Sequence, residues 1–147
     1  MLAIKKALLE YILNNQDLRN LLNADIDDDR VYSWNPPQDI VYSDNKNSAV
    51  FYRLFVNQRP GRRSYPQQFA NMFLYLRIVS RSELSCELIS EKIISILDEK
   101  YNFMLDENWS VKKINMTNYN DGSIEGTPTF PLYVKNISFS LAHVFQR

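Results

Sequence analysis

The sequence predicts an α+β domain, with a mostly antiparallel sheet of about four to five strands and an N-terminal and a central amphipathic helix packed on it. Three observations predict it. Residues 48–57, 68–80 and 132–145 are β-prone runs rich in Val, Phe, Tyr and Ile, and the last alternates large and small side chains. Residues 83–100 place apolar groups at helical spacing behind a serine cap. The chain of 147 residues is 45% apolar, enough for one packed core and for one domain spanning 1–147.

Leu2 to about Asn15 is predicted as the first helix, because Ile4, Leu8 and Tyr11 or Ile12 recur on one side. Asp17 is expected to cap a short second turn through Leu18, Leu21 and Leu22. Asp25, Asp27, Asp28 and Asp29 follow as an acidic loop. Four close carboxylates are a calcium or magnesium composition, but the Gly and Glu of an EF-hand are missing, and a solvated loop is the reading.

Arg30-Val31-Tyr32-Ser33-Trp34 is a short extended run stopped by Asn35-Pro36-Pro37, and Ile40-Val41-Tyr42 is another short extended piece. Trp34 is either an interface anchor or a lid on the local core. In the strand 68–80, Met72, Leu74, Leu76 and Ile78 share one face, while Phe73, Tyr75 and Val79 accompany Asn71 and Arg77 on the other. Apolar groups on both faces imply that the second is covered, a neighbouring subunit being one candidate. Between the strands, residues 58–67 form a loop with Arg59, Arg62, Arg63 and Tyr65, a composition used by nucleic-acid surfaces and protein interfaces alike.

Ser80 or Ser82 is expected to cap the central helix, Ser80 with Glu83 as its capping-box partner. Cys86, Ile89, Ile93, Ile96 and Leu97 form its buried stripe, which makes Cys86 a core residue. Glu83, Glu87 and Glu91 step along a separate exposed face. The chain is then expected to loop through Asp106-Glu107-Asn108, run as a strand from Trp109 to about Thr117, and turn through residues 118–123. His143 falls on the apolar-rich face of the last strand and reads as a residue of the core or its rim.

Several chemistries find no support. One cysteine excludes an internal disulfide, and one histidine excludes most zinc sites. No G-x-S-x-G elbow and no phosphate-cradling glycine loop is present. No glycosidase-type carboxylate pair is singled out. The expectation is a non-enzyme with no cofactor and no metal. No apolar run approaches the roughly 20 residues of a membrane-spanning helix, and the N-terminus lacks the parts of a signal peptide. Net charge is zero but segregated: residues 45–82 hold Lys46, Arg53, Arg59, Arg62, Arg63, Arg77 and Arg81 with no acid, flanked by two acid-rich blocks. Such blocks are either solvated faces or complementary contacts.

The order of elements resembles the tail-terminator and tail-completion (head–tail joining) proteins of long-tailed bacteriophages. The likeness rests on Leu18–Leu22 followed by Arg30-Val31-Tyr32 and Pro36-Pro37, on residues 74–80 leading into Leu88, Ile89, Ile93 and Leu97-Asp98, and on residues 132–139. Members often carry a Gly-containing link before the R-V-Y segment, and here that link is the acidic run 23–29. The resemblance implies a subunit of a ring, usually six-fold, that caps the tail tube, ends its polymerisation and presents a joining surface to the head-side connector. It implies a virion location at the tail–head junction after assembly in the host cytoplasm. The implied partners are other copies of the chain, the tail tube protein and a connector or neck protein, with DNA only in passage and no membrane.

Under that reading Arg59, Arg62, Arg63 and Tyr65 are candidates for a tube, connector or channel contact. Arg53, Arg77, Arg81, Glu83, Glu87, Glu91 and Trp34 are candidates for the subunit interface. The basic 45–82 hairpin of one subunit is expected to meet the acidic 83–107 helix, or the acidic N-terminal segment, of the next. Reversing Glu87 and Glu91 to Arg should then block the ring. The alternatives are another neck component, such as a head-completion or adaptor protein, and a small nucleic-acid-binding module using the Arg59–Arg63 loop.

Overall fold

The structure is a computed structural model, and it describes residues 2–34, 40, 42, 46–57, 68–122, 124–126 and 128–146. Arg59, Arg62, Arg63, Tyr65, Pro36 and Pro37 lie outside these residues. In chain order the elements are α1 (Leu2–Leu13), α2 (Gln16–Leu22), β1 (Val31–Ser33), β2 (Ser48–Asn57), β3 (Gln68–Ser80), α3 (Glu83–Leu97), β4 (Lys100–Met104), β5 (Trp109–Asp121), β6 (Glu125–Gly126) and β7 (Pro131–Gln146).

The long runs pair as their patterns predict. β2 and β3 form a hairpin, β7 lies against β3, and β5 lies against β7, all antiparallel. The sheet order is β1-β2-β3-β7-β5-β4, with β6 on β7. The expectation of four to five strands is corrected to seven among the described residues. The sheet is also mixed, because β1 pairs with β2 in parallel.

Two added strands, β4 and β6, span only five and two residues, too short for alternation to reveal them. The expected turn at 118–121 is instead the end of β5, which follows β7 past an irregularity between Met116 and Asn118. That stretch extends beyond the reach of β4, which pairs only as far as Ile114. Its Asn and Asp side chains therefore meet solvent at a sheet edge, where turn-forming residues are tolerated.

The three helices among the described residues cover one face. Ile4, Leu8 and Ile12 of α1, Leu18 and Leu22 of α2, and Cys86, Ile89, Ile93 and Leu97 of α3 pack on Met72, Leu74, Leu76 and Ile78 of β3 and on Ile137, Phe139 and Leu141 of β7. Each such side chain contributes about 1.5–3 kcal/mol when buried. Tyr11 reaches Phe103 of β4 with ring centroids 5.4 Å apart.

The caps differ from the simplest readings. Asn15, not Asp17, caps α2: its side chain accepts from the Leu18 amide at 3.0 Å. Ser82 caps α3, accepting from the Ser85 amide at 3.3 Å. Ser80 is buried instead, with its Oγ 2.8 Å from that of Ser48. α3 ends at Leu97 rather than Lys100 because Asp98 is extended and Glu99 takes a left-handed φ of 54°. The Asp98 carboxylate accepts from the Met116 amide at 2.8 Å, tying the helix end to β5.

His143 is exposed, so its expected place in the core or rim is corrected. Asn102, Lys112 and His143 fall on one line across β4, β5 and β7 where pairing skips a residue, and the register resumes unchanged beyond it. Asn102 and His143 have left-handed φ values of 44° and 51°. At this crease the strands change side. Val144 and Val111 then face the core where plain alternation would have placed His143 and Lys112, respectively.

Candidate assembly surfaces

With the helices on one side, the other face of the sheet carries no second layer among the described residues. Register groups its side chains into rows. Phe55 pairs with Phe73, which pairs with Ser140, opposite Asn115. Arg53 pairs with Tyr75, which pairs with Ser138. Tyr101 pairs with Lys113, which pairs with Ala142, opposite Asn71.

Phe55 is 44% exposed and Tyr75 41% exposed, and their rings meet edge-on at 5.4 Å. The Arg53 guanidinium lies over Phe55 at 4.6 Å, and the Lys113 ammonium over Tyr101 at 5.4 Å. These three rows hold two cationic side chains and no carboxylate among the described residues. The aromatic half lies on β2 and β3, and the Ser/Asn half on β7 and β5.

At one end the face closes on itself. Arg77 donates to Glu125 of β6. Trp34, Tyr42, Phe51 and Leu132 join this pair around a shallow cavity of about 250 Å³. Ala49, Val79 and Val134 form a small satellite core beneath it. Trp34 keeps 40% of its surface exposed. Arg81 lies over the Tyr42 and Phe130 rings, at 5.7 and 5.1 Å.

The second surface is the outside of α3. Its buried stripe is Cys86, Ile89, Ser90, Ile93 and Leu97. Ser90 thus takes a buried place that the sequence pattern omits, donating to the Cys86 carbonyl at 2.6 Å. Opposite that stripe, Leu84, Leu88, Glu91 and Ser95 follow one another at i, i+4, i+7 and i+11, all exposed. Leu84 is 65% exposed. Glu83 and Glu87 flank this line.

Thus the seven interface candidates separate. Arg53, Arg77 and Trp34 lie on the open sheet side, Glu83, Glu87 and Glu91 on the helix side, and Arg81 in the turn joining β3 to α3. Two of the charges are already matched within the chain, Arg77 by Glu125 and Glu87 by Lys135 at 3.7 Å. Lys135 also donates to Asp121 at 2.6 Å, and this bond holds its ammonium above the ordinary lysine range.

The acidic run is a folded turn as well as a solvated loop. Asp25 accepts from the amides of Asp27 and Asp28, at 3.0 and 2.7 Å, and its carboxylate meets Lys46 at 2.7 Å. Asp28 accepts from the Arg30 amide at 2.9 Å, from the Tyr32 hydroxyl at 2.7 Å and from Arg30 Nη1 at 3.3 Å. Arg30 is buried, with a left-handed φ of 61°. Burial raises the Asp28 carboxyl, but these bonds outweigh it and hold the group below 3.8. Burial, then the bond to Asp28, pushes Tyr32 up to about 12.

Cys86 is fully buried, and that burial pushes its thiol up to about 11, which suits packing rather than nucleophilic attack. Among the described residues no group of three or more His, Cys, Asp or Glu is placed to hold a metal ion, and no helix is long and apolar enough to cross a membrane.

Sequence reasoning missed Leu84 and Leu88 as a surface line, although their phase opposite the buried stripe was available as a signal. It also missed the burial of Arg30, for which the local sequence holds no signal.

A solved virion chain shares this fold. It belongs to a structure described as "Virion of native gene transfer agent (GTA) particle". The TM-score is 0.61 at 8% sequence identity, over 95% of this chain and 92% of that one. No family model matches this sequence, and no curated protein matches it.

Proposed function

We propose that this chain is a structural protein of a tailed, virus-like particle, and within it the subunit of a ring that caps the tail tube. The fold likeness to a chain of a gene transfer agent virion carries this reading, because it spans nearly the whole of both chains. The resemblance of the sequence to tail-terminator proteins narrows it to the tail end. A ring needs two dissimilar complementary patches on each subunit, and the open sheet face and the acidic outer line of α3 are dissimilar and lie on opposite sides of the sheet. The partners are then further copies, the tail tube protein and a head-side connector or neck protein, with DNA only passing through. No catalytic residue, cofactor or metal enters this role.

The test mixes the purified chain with isolated tail tubes of its own particle and images them by negative-stain electron microscopy. The expected result is added density at one tube end only and an arrest of further tube growth. Binding along the tube wall, or no binding, overturns the capping role. A gel shift with DNA or RNA that weakens steeply as salt rises would favour a nucleic-acid-binding module instead.

A further inference from the structure

We propose that the outer line of α3, carrying Leu84, Leu88 and Glu91, seats on the open sheet face of a second copy, against Arg53, Phe55 and Tyr75. This deepens the ring reading and rests on it only for closure, since the contact itself needs just two copies.

The argument is one of charge and shape. Phe55 and Tyr75 are large and half-exposed in adjacent rows, Tyr75 in the row of Arg53, on a face whose three open rows contain no described carboxylate. The outer line of α3 has two exposed leucines one helical turn apart, followed by Glu91 and flanked by Glu83 and Glu87. The nearest described cation on that helix, Lys92, is turned aside to Asp17 of α2 at 3.5 Å.

Each surface is therefore apolar at its centre, and the two carry opposite charge. Pairing two sheet faces would bring Arg53 and Lys113 of one copy against those of the other, and pairing two α3 lines would oppose their glutamates. Like charges so placed disfavour both symmetric dimers. Only the heterologous pairing of helix line with sheet face joins aromatic to leucine and Arg to Glu. The two patches lie on opposite sides of one subunit, so the contact repeats from copy to copy and makes a ring if the rotation closes.

Two measurements test it. In the first, a benzophenone photo-crosslinker replaces Tyr75, and cross-linked peptides are mapped by mass spectrometry after irradiation of concentrated protein. A link from position 75 to residues 83–95 of another copy is the expected result. A link to the open sheet face of the other copy, or no intermolecular link, overturns the proposal.

In the second, sedimentation compares Arg53→Glu, Glu91→Arg and the double variant, with folding checked by circular dichroism. Each single reversal should weaken association about tenfold, and the double should restore it, because every subunit then carries both changed partners. A double variant as dissociated as the singles, or singles that associate like wild type, overturns the contact. If the link forms while tube ends stay bare, the contact stands and the capping role falls. If tubes are capped without the link, the reverse holds.

Discussion

Arg30 Nε donates to the main-chain carbonyl of Ser48 at 3.0 Å, from inside the fold. The same guanidinium reaches Asp28 at 3.3 Å, the Tyr32 hydroxyl at 3.1 Å and the Lys46 carbonyl at 3.4 Å. One side chain thus fastens the acidic turn and β1 to the entry of β2. Arg30→Ala leaves the buried Ser48 carbonyl without its donor and partly exposed Asp28 without its cation, a loss of about 1–3 kcal/mol. Arg30→Lys recovers only part, because an ammonium cannot present the planar fork of donors. Urea unfolding at pH 7 checks both.

Stability should fall on the alkaline side as buried groups that hold their protons in the fold begin to titrate in the unfolded chain. Cys86 holds its proton to about pH 11 against an ordinary value of 9.0, and Tyr32 to about 12 against 10.0. Lys135 is likewise raised, by its bond to Asp121. In each case the folded chain binds protons that the unfolded chain has released, so stability declines as pH rises from about 9. Cys86→Ala should remove its share of the decline between about pH 9 and 11 and leave the Tyr32 share, which begins near pH 10. Asp28, held low, adds the opposite limb: its contribution is present above pH 3.8 and lost as pH falls through its folded value. Denaturant midpoints at pH 3–11 measure both limbs.

Glu87 and Glu91 should behave differently although one helical turn separates them. Glu87→Arg places a second cation beside Lys135, which meets Glu87 at 3.7 Å, and should cost stability as well as association. Glu91→Arg lies on the outer line of α3 and should change stability by no more than about 0.5 kcal/mol. Thermal melts of the two variants separate folding from assembly, which the paired reversal would confuse.

Gly122 has no room for a side chain. A Cβ there would sit 2.7 Å from Cγ1 and 2.9 Å from Cβ of Val134, while the Gly122 amide donates to the Val134 carbonyl at 2.8 Å. Gly122→Ala should destabilise by about 1–3 kcal/mol through overpacking and loosen the link that leads to β6 and Glu125. Guanidinium unfolding reads the first effect, and hydrogen exchange at the amides of the paired Glu125 and Leu132 reads the second.

The serines before α3 divide their tasks. Ser82→Ala removes the cap and should cost about 1 kcal/mol. Ser80→Ala removes the buried partner of Ser48 and also the oxygen that accepts from the Ser82 amide at 3.1 Å. Ser80→Thr crowds a fully buried position and should be worse than Ser82→Thr, which keeps a capping hydroxyl. Melting temperatures of the four variants order these effects.

The amino-acid sequence by itself determined the long elements, because their information is periodic and local. The boundaries of β2 and β3, the helical stretch of α3 and the core place of Cys86 follow from alternation, spacing and a serine cap. Segregated charge and two apolar faces on β3 likewise announced that the sheet would present an unusual surface. Tertiary structure alone decided the rest. β4 and β6 are strands only because longer neighbours supply their hydrogen bonds. The crease at Asn102 and His143 reverses which side chains face the core, and no local pattern encodes a reversal shared by three strands. Arg30 is buried because acceptors from residues 28, 32, 46 and 48 converge on it, and Arg77 and Glu87 are matched by partners 48 residues apart in sequence. Charge is legible in a sequence, but whether a charge is spent inside the subunit or left to meet another copy depends on distances that only the fold sets.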